Sequence, residues 1–205
     1  MPSKRRGAAG HRIGPAGEAG PDADPETIAR LICLRLLTAA PRTRAQLADA
    51  LKQRRVPADA AESVLGRFTE VGLIDDATFA SAWVESRHYG RGLGRRALAT
   101  ELGRRGVARE DIAAAVGQLT PEAERAMALS LVQRRLPSTA GQPRQVQVRK
   151  LAGMLARKGY SAGLAYSVVR EALDRAGVSG TVGDEEFAEE YDAVAEDGVS
   201  GEGID

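Results

Sequence analysis

Apolar residues recur at helical spacing along most of the chain, and the runs are separated by residues that begin and end helices. The first run is "DPETIARLICLRLL". Asp24 serves as a cap, Pro25 suits the first helical position, and Glu26 complements the positive helix end. Ile28, Leu31, Ile32 and Leu36 then fall on one face. "APRTRAQLADALKQRR" breaks at Pro41 and restarts at Thr43, which forms a capping box with Gln46 ahead of Leu47 and Leu51. "VPADAAESVLGRFTEVGL" predicts a third helix, with Val64, Leu65 and Phe68 inward and Gly72 as its stop.

The same three-helix pattern then recurs. "DDATFASAWVESRHYG", "GRRALATELGRRGV" and "AREDIAAAVGQL" make a second unit. "TPEAERAMALSLVQRRL", "VRKLAGMLARKGY" and "SAGLAYSVVREAL" make a third. Leu47, Leu51 and Val56 share their spacing with Leu98, Leu102 and Val107, and with Leu151, Leu155 and Tyr160. Leu65, Val116 and Val169 each follow nine residues after the last of their trio. The third unit is longer by "PSTAGQPR", residues 137–144, which reads as an inserted loop. The expected fold is all-α: three tandem three-helix, helix-turn-helix-like units at 25–74, 75–119 and 120–176, forming an elongated curved array. Units this small are expected to need their neighbours to complete their cores. Residues 1–24 show no period and read as a disordered arm.

Composition agrees, since alanine, leucine and valine supply most of the apolar content and aromatics are only 4%. Cys33, the one cysteine, excludes an internal disulfide and reads as a buried packing residue. No membrane span or signal peptide can be drawn, so a cytoplasmic setting is expected. The net charge of +1 conceals a division. All 29 lysines and arginines, and 18 acids, precede residue 177, whereas 177–205 holds ten acids and no base. A basic body of this kind suggests an anionic partner.

"YGRGLGRR", residues 89–96, has the look of a phosphate loop. It lacks the P-loop spacing, the Gly-Lys-Ser/Thr ending and a preceding strand. Its simpler reading is a connector in which Gly90 stops one helix and Gly94 lets the next begin. The arginines carry more information. Arg42 and Arg44 occupy the matching turn of the first unit, and Arg144, Arg149 and Lys150 that of the third. The second helices end in Lys52, Arg54 and Arg55, in Arg104 and Arg105, and in Arg157 and Lys158. Cations at helix C-termini complement the dipole, but cations at N-termini suit a bound phosphate or carboxylate. Repeated along the array, they would form a basic stripe. The contact set is Arg91, Arg95, Arg96, Arg104, Arg105, Arg149, Lys150, Arg157 and Lys158.

No catalytic constellation is present. His11 and His88 are far apart, and His88 reads as an exposed helical residue in preference to a phosphate contact beside Arg87. Asp75 and Asp76 read as caps, and Trp83 reads as core alongside Phe79. No metal site or cofactor is expected, and the protein is expected to be a monomer.

The ordered set "GLIDDATFASAWVESRHYGRGLGRRALATELGRRGV" resembles the signature of the RecX regulatory proteins. It runs from Gly72–Asp76 through Phe79-Ala80, Arg87, Arg91–Arg96, Leu98 and Leu102 to Arg105-Gly106-Val107, and the similarity extends over about residues 25–176. The resemblance implies a protein without enzymatic activity. It implies binding along the groove of the RecA filament on DNA, with inhibition of strand exchange, ATP hydrolysis and coprotease action. Contact with single- or double-stranded DNA through the basic stripe accords with it.

Two other readings compete. A helix-turn-helix transcription regulator would concentrate its base-reading residues in one helix, whereas here the cations recur in every unit. A helical scaffold would be indifferent to RecA and to salt. The tail, in which Phe187, Tyr191 and Val194 share a helical face among acids, reads either as a solubilising segment or as one that folds back on the basic stripe.

Overall fold

The computed structural model describes residues 24–180. Among them are nine α-helices and no strand. The first unit comprises α1 (Pro25–Ala39), α2 (Arg44–Gln53) and α3 (Ala58–Glu70). The second comprises α4 (Asp76–Arg91), α5 (Arg95–Arg104) and α6 (Arg109–Gly117). The third comprises α7 (Pro121–Arg135), a 3₁₀ turn (Leu136–Thr139), α8 (Arg144–Arg157) and α9 (Ala162–Arg175).

Local chemistry sets the helix starts. Asp24, Asp75, Thr120 and Ser161 each accept a hydrogen bond from an N–H of the first turn. Thr43 and Gln46 form the reciprocal capping box. Inside each unit the third helix packs on the first and second. The recurring leucines lie at the centre: Leu47, Leu51, Leu98, Leu102, Leu151 and Leu155 are fully buried. Each contributes about 1.5–3 kcal/mol of burial free energy. Val107, Tyr160, Leu65 and Val169 are buried with them, while Val56 and Val116 are half-buried.

The apolar cores are separate. One holds Cys33, Leu47 and Phe68, the next Val84, Leu98 and Val107, and the third Val132, Leu151 and Tyr160. Each buried cluster is drawn from one unit, so neighbours contribute less to one another's cores than expected, with Ala123 of α7 packing against the second. The residue before each next unit closes a core instead: Ile74 seals the first, and Leu119 seals the second.

What joins the units is a polar, close-fitting seam that occurs twice. At the first seam Thr43 Oγ1 donates to Arg105 O at 2.6 Å, and the Arg44 N–H donates to Asp76 Oδ1 at 2.9 Å. At the second, the Gly94 N–H donates to Lys158 O at 2.7 Å, the Arg96 N–H to Gly159 O at 3.2 Å, and the Arg95 N–H to Glu124 Oε1 at 3.1 Å. In both, the turn ending the second helix of one unit abuts the start of the second helix of the unit before it. Gly106 and Gly159 supply that turn at φ 75° and 81°. A Cβ at Gly106 would stand 2.3 Å from Ala45 Cβ, and one at Gly159 would stand 2.3 Å from Ala97 N. The equivalent residue of the first unit is Arg55, which holds a positive φ of 58° and meets no preceding unit among the described residues. Close approach, more than the left-handed backbone, selects glycine at the two seams.

Three sequence expectations differ from the fold. Leu31 does not join the buried face of α1, where it is 53% exposed, because Ala29 and Cys33 occupy the interior. Helix α4 runs through Gly90 and ends at Gly92 (φ 65°), whose N–H bonds to His88 O while that of Leu93 bonds to Arg87 O. The surplus of the third unit is not all loop. Helix α8 begins seven residues before Leu151, where α2 and α5 begin three residues before Leu47 and Leu98. Buried Gln147 and Val148 anchor the added turn, with Gln147 Oε1 accepting from Thr139 Oγ1. No unit among the described residues seats on this end, so no seam limits its length. The arm over 1–23 and the tail beyond 180 lie outside the described residues.

Candidate functional site

Two of the three helix N-termini expected to suit a bound anion, those of α2 and α5, are filled by the seams instead. At α2 and α5 the first helical N–H is taken by a carboxylate of the next unit, Asp76 or Glu124. Asp76 therefore caps a neighbour's helix, while Asp75 caps its own, with Thr78 N–H and Oγ1 donating at 2.8 and 2.7 Å. Those bonds hold the Asp75 carboxyl below the ordinary aspartate range.

The nine predicted contact residues divide by environment. Arg95 already has partners in the chain: its Nε lies 3.0 Å from Glu124 Oε2, and its guanidinium also donates to Leu119 O. Glu124 is 8% exposed, so this pair works in a partly dry setting. Arg105 is committed as well. Its guanidinium lies over the Trp83 ring at 3.7 Å from the centroid, and its Nη1 donates to Glu101 O. Arg87 stands over the same indole at 4.2 Å, and Trp83 Nε1 donates to Glu101 Oε2 at 2.8 Å. Trp83 stacks on Phe79 and packs against the second core, as its spacing predicts. Burial, more than the nearby Arg87 charge, lowers the Arg105 pKa, with Glu101 opposing.

Arg91, Arg96, Arg104, Arg149, Lys150 and Arg157 are exposed. Arg149 and Lys150 lie within α8 rather than in a turn. Arg144 starts that helix and pairs with Asp174 at 2.7 Å. Lys158, half-buried, donates from Nζ to Arg91 O at 2.7 Å across the second seam. Desolvation first, then the charges of Arg134 and Arg91, lower its pKa. Arg134 and Arg135 thus belong to this neighbourhood. The "QRR" ending α7 was their only sequence signal, and it does not tell which helix ends converge.

His88 is the clearest reversal: it is fully buried, not exposed. Its Nδ1 lies 2.8 Å from Leu93 O, where it donates across the turn after α4. It cannot reach a ligand phosphate. Among the described residues no group of three or more His, Cys, Asp or Glu side chains could hold a metal ion. None of the described helices is long and apolar enough to cross a membrane.

Comparison with known proteins bears on all three units. Residues 29–68, 75–116 and 122–169 match, in order, the first, second and third three-helix domains of RecX. The chain is 59% identical over 171 residues to the regulatory protein RecX of Thermobifida fusca, covering 83% of this chain and 92% of that one. It is 57% identical over 173 residues to that of Streptomyces coelicolor, covering 84% and 92%. The crystal structure of RecX from Lactobacillus salivarius shares the fold, with a TM-score of 0.69 at 17% identity, over 72% of this chain and 96% of that one. With three matched domains in register and relatives aligned along nearly their whole length, this chain belongs to the RecX family of regulatory proteins.

Proposed function

We propose that this protein regulates DNA repair by binding the RecA nucleoprotein filament and inhibiting its recombinase, ATPase and coprotease activities, with no catalytic chemistry of its own. Membership of a regulatory family supports the reading, and the observation that carries it is the recurrence of exposed cations along the tandem units. Arg91, Arg96, Arg104, Arg149, Lys150 and Arg157 are the proposed contacts, with Lys158 at the seam between the second and third units. Arg95 ties the second unit to the third through Glu124, and Arg105 is held within the second unit by Trp83 and Glu101.

The test is RecA ATP hydrolysis on single-stranded DNA with the full chain titrated in. Hydrolysis should fall to a saturating minimum. Arg96→Glu should shift the titration to about tenfold higher concentration while the far-UV CD spectrum is kept. RecA hydrolysis that is unaffected by excess protein would sink the proposal. Arg95→Glu is a poor probe of contact, because it sets a second carboxylate against Glu124 and loosens the seam.

A further inference from the structure

The C-terminal ends of α4, α7 and α8 converge beside the second seam and enclose a cleft of about 370 Å³. Arg91, Arg134, Arg135 and Lys158 line it, Leu131 and Met154 form its apolar part, and no carboxylate lines it. Among the described residues, Arg91, Arg134 and Arg135 form no ion pair. One cation per helix end would complement the helix dipoles. Here four cations line one cleft, and the charges of Arg134 and Arg91 add to burial, the larger cause, in disfavouring the charged form of Lys158. Such crowding costs stability in the empty protein and is relieved by a polyanion that bridges the cations.

A second feature identifies the anion. Tyr89 stands on the same cleft and is 63% exposed. The buried His88 ring meets it edge-on, at 5.0 Å between centroids and 76° between planes. A large exposed aromatic beside guanidinium groups is the combination that takes an unpaired base with its backbone. An acidic polypeptide would use the cations and leave the ring idle. A duplex keeps its bases stacked on one another and offers the ring nothing.

We propose that this cleft binds single-stranded nucleic acid, with Arg91, Arg134, Arg135 and Lys158 on consecutive backbone phosphates and Tyr89 stacked on a base. The site shares Arg91 and Lys158 with the filament reading but needs no RecA, so the two can fail separately.

The test is fluorescence anisotropy of labelled oligothymidylate with the full chain at low salt and without RecA. Saturable binding is expected. Arg134→Glu with Arg135→Glu should weaken it about 100-fold and flatten its salt dependence. Both residues are exposed at a helix end. If that pair unfolds the protein, Arg134→Gln with Arg135→Gln should still cost about tenfold. Tyr89→Ala should cost about tenfold on oligothymidylate and nothing on an abasic strand of equal length, and Tyr89→Phe should restore binding. Wild-type affinity in both arginine pairs would overturn the site. So would equal loss on the abasic strand, tighter binding of a duplex, or equal competition by polyglutamate. Loss of oligothymidylate binding with RecA inhibition intact would leave the filament reading standing, and the reverse would leave this one.

Discussion

Replacing Gly159 with alanine tests the seam that holds the second and third units together. A side chain at φ 81° costs about 1–2 kcal/mol from the backbone alone. The new Cβ would also stand 2.3 Å from Ala97 N and 2.6 Å from Ala97 Cβ. These are helix atoms, so the units must separate by about 1 Å to restore ordinary contact. That opening breaks Gly94 N–H to Lys158 O and Arg96 N–H to Gly159 O, which are 2.7 and 3.2 Å long. At about 1 kcal/mol each, the total loss comes to roughly 3 kcal/mol. In a cooperative chain of this size that lowers the thermal midpoint by roughly 6–12 °C. Because each unit keeps its own core, the melt should also broaden or divide. CD at 222 nm reads the midpoint and shape, and hydrogen exchange should show lost protection at the Gly94 and Arg96 amides. Arg55→Gly is the control, since that position has a similar backbone and meets no preceding unit among the described residues. Its midpoint should hold or rise slightly. A single sharp transition at the wild-type midpoint in Gly159→Ala, with both amides still protected, would refute the close-approach argument.

Other consequences can be checked alongside it. Glu124→Ala leaves Arg95 without its carboxylate partner and the α5 N–H without its acceptor, and urea unfolding should show a loss of about 2 kcal/mol. Arg95→Ala in the same background should then cost less than it does alone, and strict additivity would deny the coupling. The Asp75 carboxyl has a lowered pKa in the folded state, so its contribution is full above the ordinary aspartate pKa and is lost as pH falls through the lowered value. Asp75→Asn should therefore lower the midpoint at neutral pH, with the gap from wild type closing in acid; a gap independent of pH would deny the linkage. Removing residues 180–205 takes away ten acids and should raise affinity for single-stranded DNA, most clearly at low salt. Unchanged binding would dismiss a competing tail.

Helix number and unit length were legible because both depend on short-range spacing. The leucine trios had to face one interior whichever way the units were arranged, and Asp24, Thr43, Asp75 and Thr120 cap their own helices through bonds three residues long. Leu31 misled because α1 buries a narrower face than its pattern offers, with small Ala29 and Cys33 at the contact. His88 misled because its partner is the backbone carbonyl of Leu93, released by a turn whose geometry only the folded chain defines.

The amino-acid order alone determined three all-α units and a strongly basic body, since helical periodicity and charge are properties of local sequence. Tertiary structure alone decided the use of each cation. Asp76 and Glu124 reach across 32 and 29 residues to take the first helical N–H of α2 and α5, and Arg105 turns onto Trp83. Arg91, Arg134, Arg135 and Lys158 come from separate helices to one cleft. The physical reason is that a helix end always leaves unpaired backbone groups and a surplus of partial charge. Whether a neighbouring unit or an outside partner satisfies them depends on where the next helices are placed.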